Sequence, residues 1–287
     1  MTVTVARHLV PRPDAQELAD RISTQVARYV DELETSADMI DYAFSNAVLA
    51  LQAHIAADPE GSRLQTWEAA VTAMQIGDAL FAATGAEEGG TVSCFVLDKE
   101  RTIPAIGLRK FANAGNWFSA FWLAVICRDR QRMTRLAEIP LERLRAAESA
   151  YDEFVFHWVD VQQTYWLQRD DLVEKLTAAF ETSTPEASPN TPVDALQGIM
   201  YPPLNVFYNF VRGRQDEFGP ALAKALELHK AYWTLDEDRA TDIDGALPLG
   251  PFAMACLAYD GRFPIDVESG YLPKYILDRF WVGEFPT

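Results

Sequence analysis

Apolar residues recur at three- and four-residue steps through the first eighty positions, and this pattern predicts three helices. Leu18, Ile22, Val26, Tyr29, Val30 and Leu33 form one stripe, which predicts a helix of about five turns with Asp14 as its cap. Ile40, Phe44, Val48, Leu51 and Ile55 form a second stripe. Ser36 is placed to cap it, and Asp58-Pro59 ends it, because a residue before proline is steered out of the helical region. Leu64, Trp67, Val71, Met74 and Leu80 mark a third helix over 62–83, which Gly85, Gly89 and Gly90 break.

The pattern then changes. Thr91 to Leu97 is β-branched and aromatic, Asp98-Lys99-Glu100 is a polar gap, and Arg101 to Ile106 can return as a partner strand with Pro104 on an edge. A small β-hairpin is therefore predicted near residues 91–106. The most apolar helix opens at Asn113 or Asn116 and is expected to run to Ala137. Pro140 can start the next one, and further helices are predicted over 146–167 and 170–180. Residues 182–192 hold three prolines and nothing larger than alanine for a core, so they read as a linker. Helices follow near 193–200, 203–212 and 215–234, then an acidic loop over 236–244, a buried helix over 249–259 and a short one within 271–280. Gly213 and Gly261 stand where helices should end. The predicted fold is mainly α: a multi-helix array of packed helix pairs, which permits a solenoid-like stack. Its expected parts are an N-terminal helical lobe (1–181) and a C-terminal helical lobe (193–287), either joined by the linker or packed as one domain.

Charge alters this picture. The formal net charge is −17 over 287 residues, and it is uneven. Residues 1–100 carry six Lys/Arg against sixteen Asp/Glu, residues 101–215 carry thirteen of each, and residues 216–287 carry six against thirteen. Such a field argues against nucleic acid and anionic lipid as partners and favours basic ones; it also serves simple solubility. The longest apolar stretch, near Trp117 to Cys127, falls short of the about 20 residues that a membrane span needs. The first ten residues are too polar for a signal-peptide core. Cys94, Cys127 and Cys256 form no CxxC pair and lie in apolar stretches, as buried thiols in a reducing compartment would. Together these features predict a cytoplasmic protein with no membrane partner.

Motifs for catalysis are missing. The nucleophile elbow, the P-loop, the dinucleotide fingerprint, HExxH and the EF-hand loop are all absent, so neither an enzyme nor a cofactor is expected. Glu153, His157 and Asp160 would share a helix face at i, i+4 and i+7, a spacing open to an acid–base pair or a metal but equally to a carboxylate fixing a histidine. With four histidines in the chain and no ligand repeat, no metal is expected. His229 reads as a histidine packed on aromatics. Arg128, Arg130, Arg132, Arg135, Arg143 and Arg145 form a basic run with acids interleaved; a solvated face, or contacts to the acidic ends, fits better than a nucleic-acid patch. Trp117, Phe118, Phe121, Trp122, Phe154, Phe156, Trp158, Tyr165 and Trp166 read first as core and second as an aromatic groove.

Several blocks carry a resemblance. They are Thr66-Trp67-Glu68, Ala114-Gly115-Asn116-Trp117, Phe121 to Ala124, Tyr151-Asp152-Glu153 with His157-Trp158, Leu226 to Trp233, Leu249-Gly250-Pro251 and Phe263 to Ser269. Together they resemble the immunity 49 family of bacterial polymorphic toxin systems. The resemblance implies a mostly helical protein that binds and neutralises a cognate toxin protein; it assigns no functional residues. Many such toxins are nucleases with basic substrate sites, which an acidic binder would occlude. Two acidic surfaces then become the expected interface: Asp31, Glu32, Glu34, Asp38 and Asp41, and Asp236, Glu237, Asp238, Asp242 and Asp244. Each also fits a solvated helix junction. The alternatives are a helical scaffold that binds a peptide in an aromatic groove, and an enzyme with an unrecognised site at Glu153, His157 and Asp160.

Overall fold

The computed structural model describes residues 2–10, 12–148 and 150–284. Helices α1 (Ala15–Glu32) and α2 (Ile40–Ala57) pack on one another, and α2 packs on α3 (Leu64–Gly85). α3 lies at the centre. It is buried on every face, through Trp67, Ala70, Met74, Ile76 and Leu80 among others, as a helix apolar all round must be. Its neighbours are α2, strand β2 (Thr91–Val96), α4 (Ala114–Ile126) and α5 (Arg130–Ala137). Gly77 lets these helices close: a Cβ there would sit 2.8 Å from the Phe44 ring and 3.0 Å from Ala120.

β2 pairs antiparallel with β3 (Lys99–Pro104), Thr91 opposite Pro104 and Val96 opposite Lys99. The hairpin is where the sequence predicts it, but its turn is Leu97-Asp98, with φ of 52° and 55°, and Lys99 and Glu100 belong to the strand. Two positive φ values give the turn the twist of its strands. The Gln75 side chain of α3 accepts from the Leu97 N–H at 3.0 Å and holds it.

After α4 and α5 come α6 (Leu141–Ala147), α7 (Glu153–Trp166) and α8 (Leu172–Thr182). α9 (Val193–Ala195) runs into a π-helical turn (Leu196–Met200), then α10 (Tyr201–Val211), α11 (Gln215–Trp233), α12 (Glu237–Thr241), a 3-10 turn (Ile243–Gly245), α13 (Leu249–Asp260) and α14 (Lys274–Leu277). α13 packs on α4 and α10, and one hydrophobic cluster runs from Val5 to Leu277. β1 (Val3–Val5) pairs parallel with β4 (Val267–Ser269).

Four local readings need correction. Asp14 stands at the start of α1 without capping it; its carboxylate pairs with Arg12. Ser36 does not cap α2: its hydroxyl is taken by Asp38, and the helix starts at Ile40. The apolar helix from Asn113 does not reach Ala137. It stops at Ile126, Arg128 turns left-handed (φ 59°), and Asp129 caps a new helix by accepting from the Arg132 N–H at 2.9 Å. The helix expected from Ala146 starts instead at Glu153, because Glu148 is extended and Asp152 is engaged elsewhere.

That engagement fixes the Pro-rich segment. The buried Asp152 carboxylate accepts from the Asn190 N–H (3.2 Å), Asn190 Nδ2 (2.9 Å) and Thr191 Oγ1 (2.6 Å). Ser188 is buried and donates to the Thr182 carbonyl. Hydrogen bonds to a charged acceptor are worth about 1.5–3 kcal/mol. Asp152→Ala is expected to lower stability by about 2–3 kcal/mol and to speed thermolysin cleavage within 182–192. Unchanged cleavage in a variant of lowered stability would mean that Asp152 does not hold the segment.

Candidate functional site

The first three helices carry small residues where they face one another, and those residues leave a cleft of about 830 Å³. α1 contributes Asp20, Ser23, Val26 and Ala27; α2 contributes Ala47, Ala50 and His54. α3 supplies Gln65, Trp67, Glu68, Ala69, Val71, Thr72 and Gln75, and the hairpin closes one side with Phe95, Leu97 and Asp98. Its floor is buried and mostly apolar, whereas Asp20, Glu68 and Asp98 stand exposed at the rim. None of the lining residues is Lys or Arg.

Electrostatics follow from this arrangement. Burial, then the nearby Asp98 charge, lifts the Glu68 carboxyl above its ordinary range. Burial lowers His54, opposed by Asp20 and Asp58. Ser23 Oγ lies 2.9 Å from His54 Nε2. His54 Nδ1 and Trp67 Nε1 have no hydrogen-bond partner among the described residues. Other buried side chains, among them Trp158 and Trp233, share this feature, so it does not set the cleft apart.

The acidic surfaces expected from the sequence are partly neutralised. Glu34 pairs with Lys99 (2.7 Å) and Arg101 (3.1 Å), and Asp31 pairs with Arg101 (3.0 Å). These contacts hold the Glu34 carboxyl below its usual range, the Lys99 hydrogen bond contributing most. Asp38 bonds to Ser36. Glu32 and Asp41 have no ion pair among the described residues. The stretch expected to be an acidic loop folds instead as α12 and the 3-10 turn. Asp236 caps α12 through the Arg239 N–H (2.8 Å), and Asp242 accepts from the Asp244 N–H (3.0 Å). Arg239 bridges to Asp194 at 2.8 Å and stacks on Tyr232. Burial, then Asp242, raises Asp244. Glu237 and Asp238 are exposed and form no ion pair among the described residues.

Glu153, His157 and Asp160 share a face as the spacing predicts, but their carboxylates are occupied. Glu153 takes both Arg145 nitrogens at 2.7 Å, with His157 Nε2 3.6 Å away, and Asp160 pairs with Lys175 at 2.9 Å. Among the described residues no cluster of His, Cys, Asp or Glu is placed to hold a metal.

The basic run turns inward toward acids of both flanks. Arg135 grips Asp78 of α3 at 3.1 and 2.6 Å, Arg132 pairs with Asp129, and Arg128 reaches Asp260 of α13. The aromatics take their first reading, core: Trp117, Phe118, Phe121, Phe154, Phe156 and Trp158 are buried, and Trp122, Tyr165 and Trp166 are half-buried against the same cluster. They pack ring on ring, as in the 4.8 Å stack of Trp117 on Phe121. The three cysteines are buried and free, and burial pushes the Cys94 and Cys256 thiols up to about 11. Among the described residues no helix is long and apolar enough to cross a membrane.

A family model described as immunity protein 49 matches residues 58–276. The chain belongs to the immunity protein 49 family. No curated protein and no solved structure matches it. The family match opens at Asp58, whose carboxylate accepts from Thr66 Oγ1 (2.7 Å) and the Arg63 N–H (2.9 Å) at the start of α3. α1 and α2 precede it. The cleft thus takes one wall from the matched segment and one from outside it. Of the two acidic surfaces, residues 31–41 lie before the match and residues 236–244 within it.

Proposed function

We propose that this chain is an immunity protein that binds and neutralises a cognate bacterial toxin in the cytoplasm of the cell that makes it, without catalysis. The observation that carries this reading is the immunity protein 49 match across residues 58–276. Two physical features support it. The net charge of −17 favours capture of a basic partner. The sequence carries no catalytic motif, and the one sequence-predicted triad spends its carboxylates on Arg145 and Lys175.

The partner is a toxin protein with a basic face, and neither nucleic acid nor membrane. Within the two acidic surfaces, Asp31, Glu34, Asp236 and Asp242 already serve internal contacts. Glu32, Asp41, Glu237 and Asp238 remain to steer the approach, with Asp244 and the Ser36-bonded Asp38 beside them. Co-expression with the toxin domain encoded beside this chain is the test. Growth is expected to be restored and the two proteins to co-purify. Continued toxicity with no complex would refute the reading for that pair.

Steering has its own signature. Charges at an interface rim act on association rate and are screened by salt, with a Debye length of about 8 Å at physiological ionic strength. Glu237→Lys/Asp238→Lys is expected to slow association several-fold at low salt and to leave dissociation nearly unchanged. Stopped-flow mixing with the toxin domain checks this; equal association rates would remove α12 from the interface.

A further inference from the structure

We infer that the cleft between α1, α2, α3 and the hairpin is the seat for a basic peptide segment of the partner, an arginine or lysine flanked by small apolar residues. This rests on the reading of the chain as a toxin-binding protein and adds where, and with what chemistry, the partner enters.

Four observations carry it. The cleft holds about 830 Å³, within the 300–1,000 Å³ range of ordinary binding pockets. Its rim carries Asp20, Glu68 and Asp98, and none of its lining residues is Lys or Arg. Glu68 and Asp98 repel one another, and an inserted cation relieves that repulsion. The floor is lined by small and apolar side chains, Val26, Ala47, Ala50, Ala69 and Val71.

The pairing of needs is specific. The rim carboxylates can only accept, so they call for a cationic donor. The floor is small and apolar, so it calls for small apolar side chains. A peptide with a basic side chain beside small apolar ones presents both. Nucleic acid supplies acceptors but brings phosphate against three carboxylates. The alanines of the floor leave room for the apolar part of the segment, as surfaces that bind peptides commonly do.

The test uses the full chain labelled with ¹⁵N and two capped tripeptides, arginine–valine–arginine and glutamate–valine–glutamate. The arginine peptide is expected to shift the Trp67 indole N–H signal saturably, and the glutamate peptide to leave it unmoved. Glu68→Gln/Asp98→Asn removes rim charge at exposed positions, and Thr72→Trp fills the cleft without touching charge. Each is expected to weaken binding of the arginine peptide about tenfold. An unmoved Trp67 signal, equal response to both peptides, or full affinity in Thr72→Trp would overturn the inference. If the toxin domain binds and Thr72→Trp leaves that affinity unchanged, the cleft is not the seat, while the immunity reading stands. Failure of co-expression to protect cells, with the peptide titration positive, strikes the immunity reading and spares the cleft.

Discussion

Arg128→Ala should lower stability by about 2–3 kcal/mol, the scale for losing hydrogen bonds made by a charged group. Its side chain is 5% exposed. It donates to the carbonyls of Ile126 (2.6 Å), Ile276 (3.1 Å) and Leu277 (2.8 Å), and its Nε lies 3.4 Å from Asp260. One side chain therefore ties the α4–α5 corner to α13 and to α14. The loss strips three part-buried carbonyls of this donor, while Asp260 keeps Arg279 at 3.6 Å. Lysine cannot reproduce a fork that serves several carbonyls at once, so Arg128→Lys should recover only part of the loss. Arg130→Ala is the control: Arg130 stacks on Trp166 at 4.9 Å and should cost less than about 1 kcal/mol. Urea unfolding of the three variants orders them; an Arg128→Ala loss no larger than that of Arg130→Ala would refute the clamp.

Acid should destabilise the protein through His229. This histidine is buried, its Nε2 lies 2.9 Å from the Gly245 carbonyl, and its ring meets Tyr271 edge-on at 5.1 Å. Burial is the main cause that lowers it to about 4, opposed by the Gly245 bond and reinforced by His8. The neutral ring is the folded form. The unfolded chain therefore binds a proton first, near the ordinary histidine value of about 6.5. The contribution is complete above pH ~6.5 and is lost as pH falls toward the folded value, roughly 3 kcal/mol in all. His8, His54 and His157 are lowered too, burial first in each case, so they push in the same direction; Asp244 and Glu68, both raised, oppose. His229→Gln keeps a donor for Gly245 and removes the titration. Its stability curve should be flatter than that of the parent between pH 6.5 and 4. Parallel curves would assign the acid response to other groups.

Local patterning made much of the architecture legible. Stripes at helical spacing located α1 and α2 because one face of each meets solvent. The hairpin was legible because β-branched and aromatic residues flank a polar stretch, although its turn falls one residue early, at Leu97-Asp98. What escaped depends on distant partners. Asp129 is a local cap signal beside Arg128, and the Asp129 N–H closes the turn on the Ala124 carbonyl; what the sequence hides is that carbonyls almost 150 residues away hold the Arg128 side chain. The β1–β4 pair joins two three-residue strands from opposite ends of the chain, too short to show alternation. Glu153, His157 and Asp160 could be placed on one face from spacing alone, but Arg145 and Lys175, which occupy the carboxylates, come from neighbouring helices. The first acidic run looked free until Lys99 and Arg101 were folded back upon it. The cleft had no motif: its residues span positions 20 to 98. Alanines such as Ala47, Ala50 and Ala69 were visible, but small residues allow close packing as readily as a void.

The proposed neutralisation by occupancy, as opposed to chemistry, would fix the stoichiometry. Titrating the purified toxin domain with this chain while following residual toxin activity measures it directly. The account predicts a linear fall to full inhibition at one equivalent, with intact toxin recovered from the complex. Full inhibition by a small fraction of an equivalent, with toxin left altered, would contradict it, as would undiminished activity at excess.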